Sequence, residues 1–215
     1  MNTRCLTLSA LLFFACAAPK PAAQNPATAG ATAALTDADR EAAVKYMEET
    51  RSEFLSAISG LSDAQYRFKP APDRWSVAEV AEHIAVSEDT LFGMVNEKML
   101  KQPAPPELLA QVNHDDSRLR TKVTDRTTKV QAPEMLKPAG RFASPDAVKQ
   151  AFNASRDKAV AFVKTTGLNL RSYAGPHPVL GPLDGYQWLL LLAAHTSRHT
   201  AQIQEVKADP GFPKQ

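Results

Sequence analysis

Cysteine is nearly absent from this chain. Of 215 residues only Cys5 and Cys16 are cysteines, so a domain built from the rest has no disulfide, no cysteine nucleophile and no thiolate metal ligand. A strong charge of either sign is missing too. Lys and Arg number 25 against 23 Asp and Glu, a formal net charge of +2, which gives no electrostatic footprint for a polyanion and disfavours nucleic acid as a partner. The apolar run near the N-terminus, within Cys5 to Ala18, falls short of the roughly 20 residues needed to span a bilayer. No segment alternates persuasively like a strand, and no internal repeat is visible. What remains is helical periodicity and five histidines.

The N-terminus reads as an export signal. One basic residue in Met1-Asn2-Thr3-Arg4 precedes an apolar run of about a dozen and then small residues, the pattern of a signal peptide over residues 1–17. Two endings compete: Cys16, after Phe13-Phe14-Ala15, as the lipidated cysteine of a lipoprotein, although leucine is usual where Phe13 stands, or ordinary cleavage after Ala15-Cys16-Ala17. Residues 18–35, rich in Ala, Pro and Thr, read as a flexible tether. The expected location is the bacterial periplasm or cell envelope, with membrane contact only through the signal or a lipid anchor.

Four helices are expected in residues 36–209, an all-α domain. The first runs from near Thr36 to Ser59, with Met47, Phe54 and Ile58 on its apolar stripe and Gly60 closing it. The second starts at Ser76, where Ser76 and Glu79 form a capping box and Trp75 and Val80 a hydrophobic staple, and runs to about Leu100. The third begins at Ser144 with Pro145 in its first position, buries Val148, Phe152 and Phe162, and stops at Gly167. The fourth spans about Gly185 to Lys207, started by the Asp184–Gln187 capping box with Leu183 stapled to Trp188. Residues 101–143 form a long link between the second and third helices, enough chain to travel the length of a bundle. Those two helices are then expected to run parallel, and the second and fourth antiparallel.

Histidines occupy apolar stripes. His195 and His199 stand four apart in the series Leu192, His195, His199, Ile203, Val206, so both rings face inward, and His83 falls on the stripe of Val80, Ile84, Leu91, Met94 and Val95. At 1.5 Å per residue, His83 lies roughly 10 Å from the start of its helix and the pair roughly 15 Å from the end of theirs, matching depths in an antiparallel arrangement. Three buried imidazoles without an ion or partners would cost roughly 1–3 kcal/mol per unsatisfied group, against a net stability of about 5–15 kcal/mol. A shared metal removes that load, and neutral imidazole is the commonest protein ligand for such ions. His114 reads as part of a charged connection. His177, in Gly175-Pro176-His177-Pro178, reads as a loop residue, with a place over the mouth of a site as the rarer alternative.

These motifs carry a resemblance. Trp75-Ser76-x-x-Glu79-x-x-x-His83 with His195-x-x-x-His199-x-x-Gln202-Ile203, and the stretch Ala132-Pro133-Glu134-Met135-Leu136-Lys137-Pro138, resemble the DinB-like superfamily of putative metalloenzymes over about residues 36–209. The resemblance implies a four-helix bundle of unusual order. It also implies a divalent metal, commonly zinc or nickel, on His83, His195 and His199, and leaves Gln202 as a motif residue without an assigned role. Relatives of known activity include thiol-dependent transferases, a maleylpyruvate isomerase and the metal-binding part of ergothioneine-synthesis enzymes.

Three histidines leave coordination positions open, the mark of catalytic rather than structural zinc. The expected activity is transfer of a thiol to an electrophilic small molecule, with hydrolysis by metal-activated water as the alternative. Export weakens the thiol reading, because low-molecular-weight thiols are chiefly cytoplasmic reductants. A non-catalytic envelope protein with a structural metal is the competing class. Glu79, one turn before His83, is a candidate base with a stronger role as capping residue. Arg198 and Asp89 either bind substrate or cover a solvated helix face. A homodimer is the assembly considered.

Overall fold

The computed structural model describes residues 34–214. The expected signal segment, Cys16 and nearly all of the tether lie outside the described residues. The described residues form seven α-helices, three single-turn 3-10 helices and one hairpin: α1 (Asp37–Ala57), α2 (Asp63–Arg67), α3 (Val77–Glu97), α4 (Pro106–Leu109), α5 (Asp116–Thr124), α6 (Pro145–Thr165), β1 (Ala174–His177), β2 (Gly181–Asp184) and α7 (Gly185–Lys207), with the 3-10 turns at Met99–Lys101, Glu134–Leu136 and Leu170–Ser172.

Helices α1, α3, α6 and α7 form a four-helix bundle in which α1 packs on α6 and α7, and α3 on the same two. Their directions follow from individual contacts. The Tyr186 hydroxyl donates to the carbonyl of Asp39 at 2.7 Å near the starts of α7 and α1, and Lys207 donates to the carbonyl of Ala57 at 3.0 Å near their ends, so these two helices run parallel. Glu88 meets Arg156 and Phe92 meets Phe162, so α3 and α6 also run parallel, as the length of the link between them predicts. Arg40, early in α1, reaches the carbonyl of Val163, late in α6, which sets one parallel pair against the other.

Each long helix starts at a residue that satisfies its free N–H groups. Thr36, Ser76 and Asp184 close capping boxes with Asp39, Glu79 and Gln187, and Ser144 caps α6 ahead of Pro145. The residues of the expected staples lie in the core: Leu183 and Trp188 are buried in one cluster, and half-buried Trp75 packs on the cluster that contains Val80. Gly185 sits where α7 meets the Leu170 turn, and a Cβ there would lie 2.7 Å from the Leu170 carbonyl oxygen. Gly185→Ala is therefore expected to destabilise the fold by about 1–3 kcal/mol through overpacking against backbone, read as a lower urea midpoint at unchanged slope.

Three elements were not anticipated. The short helix α2 has only five residues, too few for a periodic signal. The 101–143 link is partly ordered, and α5 lies against α7. Residues 174–184, of which 175–178 read as loop, form an antiparallel hairpin pairing Ala174 with Asp184 and His177 with Gly181. Its strands have four residues each and include two prolines and two glycines, so they carry no alternation; Trp188, whose indole N–H donates to the carbonyl of Gly175 at 3.4 Å, supplies the surface they pack on.

The bundle centre holds a polar hub. Arg156 of α6 is fully buried. It donates to both carboxylate oxygens of Glu88 on α3 at 2.6 and 2.9 Å, to Thr196 of α7 and Thr50 of α1 at 3.0 Å each, and to the carbonyl of Met47. One guanidinium thus touches all four helices.

Candidate metal centre

Two antiparallel helices bring three imidazoles together. His83 is on the second turn of α3, and His195 and His199 lie one turn apart on α7, with one ring nitrogen from each inside a 4.8 Å cluster. Ring centroids are 5.0 Å apart for His83 and His195, 4.5 Å for His83 and His199, and 4.4 Å for His195 and His199. His83 is buried, whereas His195 and His199 keep part of their surface in solvent.

Hydrogen bonds fix which nitrogen faces inward. The Nδ1–H of His83 donates to the carbonyl of Leu136 at 2.8 Å, and a carbonyl accepts only, so Nε2 carries the lone pair. His199 repeats the device: Nδ1–H donates to Oε1 of Gln202 at 2.8 Å. The Nε2 atoms of His83 and His195 stand 3.3 Å apart. Two nitrogens bound to one tetrahedral ion at about 2.0–2.1 Å are roughly 3.3–3.4 Å from each other. The donor set, its spacing and its oriented outer partners thus fit a transition metal.

Electrostatics favour the ligand form. Burial pushes the His83 pKa down against the Leu136 bond, and takes His195 well below the usual histidine range with help from His199 and His83. His199 is lowered to about 3, by burial first and by the charge of His83 second. All three rings are neutral at pH 7, the state in which imidazole binds metal.

A strap, residues 125–141, crosses the ligand helices on the outside. Toward α7, Arg198 donates to the carbonyls of Val123, Asp125 and Thr128, while Arg126 holds Glu205 through two bonds of 2.6 and 2.7 Å and reaches Gln202 at 3.4 Å. Toward α3, the Glu82 carboxylate accepts from the backbone N–H groups of Ala139, Gly140 and Arg141 at 2.7, 2.9 and 3.2 Å, and from the Arg141 side chain at 2.8 Å. Burial raises the Glu82 pKa, but these donors outweigh it and the net shift is downward. Between the two sets of ties the strap delivers the Leu136 carbonyl to His83.

Several candidate roles change. Glu79 spends its carboxylate on the capping box and on Lys69, at 2.7 Å to the Ser76 N–H and 3.0 Å to the ammonium, and lies outside the imidazole cluster. Arg198 is an anchor for the strap, not a substrate-facing charge. Asp89 accepts from Ser155 of α6 at 2.8 Å. His114 bonds Asp184 at 2.9 Å beside the α7 cap. Gln202 acquires a role: it holds the His199 tautomer. Gln202→Leu is expected to lower metal affinity about 10–100-fold, the usual range for losing such a partner, read by competition with a chromophoric chelator; an unchanged affinity would show that His199 needs no orienting group.

His177 lies nearer the centre than its sequence context suggests. Its ring sits 5.5 Å from that of Trp188, two turns before His195 on α7. Neither the Leu136 carbonyl nor the hairpin was legible beforehand as a contributor.

Known proteins agree with this architecture. The chain is 28% identical over 159 residues to the uncharacterized protein YuaE of Bacillus subtilis (strain 168), covering 74% of this chain and 93% of YuaE. A solved structure of YfiT from Bacillus subtilis, described as a probable metal-dependent hydrolase with an unusual four-helix bundle topology, shares the fold with a TM-score of 0.54 and 15% identity, over 85% of this chain and 93% of that one. Residues 46–203, most of the chain, match the sequence profile of the DinB superfamily. With that match, the two histidine-bearing helices and the parallel-paired bundle in hand, the chain belongs to the DinB superfamily.

Proposed function

We propose that this protein is a metal-dependent enzyme, with His83, His195 and His199 holding one divalent ion, zinc or nickel, and hydrolysis of a small-molecule substrate as its reaction. The observation that carries it is the cluster of three converging imidazoles, two of them partly exposed, without a fourth described carboxylate or histidine, since a saturated and sealed site would suit a structural ion. A divalent ion held there supplies Lewis acidity and activates water at neutral pH. The chain's own residues prepare for this. Leu136 and Gln202 keep protons on the outer nitrogens, so the Nε2 lone pairs of His83 and His199 converge without rearrangement. Trp75, its ring 5.1 Å from that of His83, walls one side. The strap restricts approach from the other.

Thiol transfer is the second reading, supported by the lack of any cysteine beyond position 16: a sulfur nucleophile has to arrive as a cosubstrate, and thiolate suits zinc. The metal-loaded chain should be assayed against ester and amide panels, and separately with low-molecular-weight thiols plus an electrophile. Thiol-independent turnover lost on chelation supports hydrolysis, and turnover that requires the thiol supports transfer. Silence across both panels, with the ion inert to added anions, would leave a structural metal.

We also propose export to the cell envelope, on the basis of residues 1–17. Expression of the full gene should give a shortened chain outside the cytoplasm. Partition with membranes that is lost in Cys16→Ser identifies a lipid anchor, while a soluble mature chain indifferent to that change identifies ordinary cleavage. A full-length cytoplasmic product overturns export.

A further inference from the structure

The hairpin that leads into α7 presents a fourth histidine in one fixed protonation state. His177 ends β1, and its Nδ1 accepts from the backbone N–H groups of Val179 and Leu180 at 3.2 and 3.1 Å. A ring nitrogen that accepts carries no hydrogen, so the neutral imidazole bears its proton on Nε2. No described residue accepts from that N–H. The ring cannot easily turn away: it packs against Trp188, whose indole is itself bonded to Gly175 of the same hairpin.

Position along α7 relates this donor to the imidazole cluster. Trp188 and His195 are seven residues apart, hence on one face of the helix and about 10 Å apart along its axis. His177 is half-buried, and its ring lies 5.5 Å from that of Trp188 on this face.

We propose that His177 is a further functional residue of this site, a hydrogen-bond donor and not a ligand, whose Nε2–H binds an acceptor oxygen of a substrate held at His83, His195 and His199. The proposal rests on reading those three as a metal centre. Ligation by His177 would require a lone pair on Nε2, moving the proton to Nδ1 and leaving two hairpin N–H groups without an acceptor. Burial lowers its pKa and keeps the ring neutral at pH 7, so it offers a hydrogen bond without a charge. The separation from the cluster also selects the substrate. A molecule with one small oxygen group reaches one end only, whereas a molecule with a metal-binding head and a second carboxylate or carbonyl several bonds away reaches both.

The test uses the full chain loaded with cobalt(II), whose visible spectrum reports anion binding, with succinate and acetate as probes. Wild type should bind succinate about tenfold more tightly than acetate, the worth of one hydrogen bond to a charged group. His177→Phe should keep its cobalt and lose that preference, and His177→Gln, which retains an N–H donor, should keep most of it. Nitrogen-15 NMR of the metal-free chain should show the His177 proton on Nε2, a reading independent of any variant's folding. A proton on Nδ1, equal preference in wild type and His177→Phe, or no preference in wild type would overturn the proposal and leave the metal centre standing. Loss of cobalt from a folded His177→Phe would make His177 a ligand, also against it. Failure of wild type to take up cobalt would overturn the metal-centre reading, and this one with it.

Discussion

His199→Ala should abolish metal binding, whereas His177→Ala should leave it unchanged. The first removes one of three nitrogens that converge inside 4.8 Å, the one whose ring Gln202 orients. Loss of an inner ligand should exceed the 10–100-fold penalty typical of an outer one, so affinity is expected to fall by more than about a hundredfold. The second removes a ring whose Nδ1 is committed to the hairpin. Elemental analysis after dialysis against trace zinc is the measurement, with one ion per chain expected in His177→Ala and almost none in His199→Ala. Comparable stoichiometry in the two would mean that the wrong histidines have been joined. Helical content should be preserved in both, because the centre lies between helices that are already packed through their apolar faces.

The largest effect on stability is expected from Arg156→Ala. Truncation leaves the Glu88 carboxylate buried and unpaired, and removes partners from Thr50, Thr196 and the Met47 carbonyl. Breaking a buried pair from one side costs about 3–5 kcal/mol, a large part of the roughly 5–15 kcal/mol that holds a domain folded. At roughly 2–4 °C per kcal/mol for a domain of this size, the melting temperature should fall by about 6–20 °C. Replacing both partners with apolar residues, Arg156→Met with Glu88→Leu, should recover most of the loss, since well-packed hydrophobic substitutes for buried ion pairs are often neutral or better. A single-variant loss below about 1 kcal/mol would show that the carboxylate finds water or another donor, contrary to the observed packing.

The two results sit at opposite ends of what the sequence discloses. The capping boxes at Ser76 and Asp184 were readable because they involve residues three apart, and the histidine stripes because helical period alone puts His83, His195 and His199 on apolar faces. Arg156 was not. A charged residue on a helix looks solvated until α1, α3 and α7 are known to surround it, and its partners lie from 40 to 109 positions away. Gln202 was visible as a motif residue, three after His199, but its purpose depends on a rotamer that brings Oε1 to Nδ1. Leu136 was hidden for another reason: the group that orients His83 is a backbone carbonyl, which every residue has. Arg198 and Glu79 looked like candidates for chemistry because charge near a site is ambiguous in one dimension; their bonds to strap carbonyls and to a helix cap remove the ambiguity.

The centre unites residues 112 positions apart, His83 and His195. Closing so long a loop is entropically expensive, with the cost growing as the logarithm of its length, and contacts of that separation form slowly. The proposed ligand set spans α3 and α7, so it is expected to be completed only once those helices have docked. An ion that recognises only the finished arrangement cannot speed collapse, but it can hold the native state once reached. Its signature is kinetic: a refolding limb that is insensitive to zinc and an unfolding limb that slows as zinc is added, the behaviour of an interaction absent from the transition state.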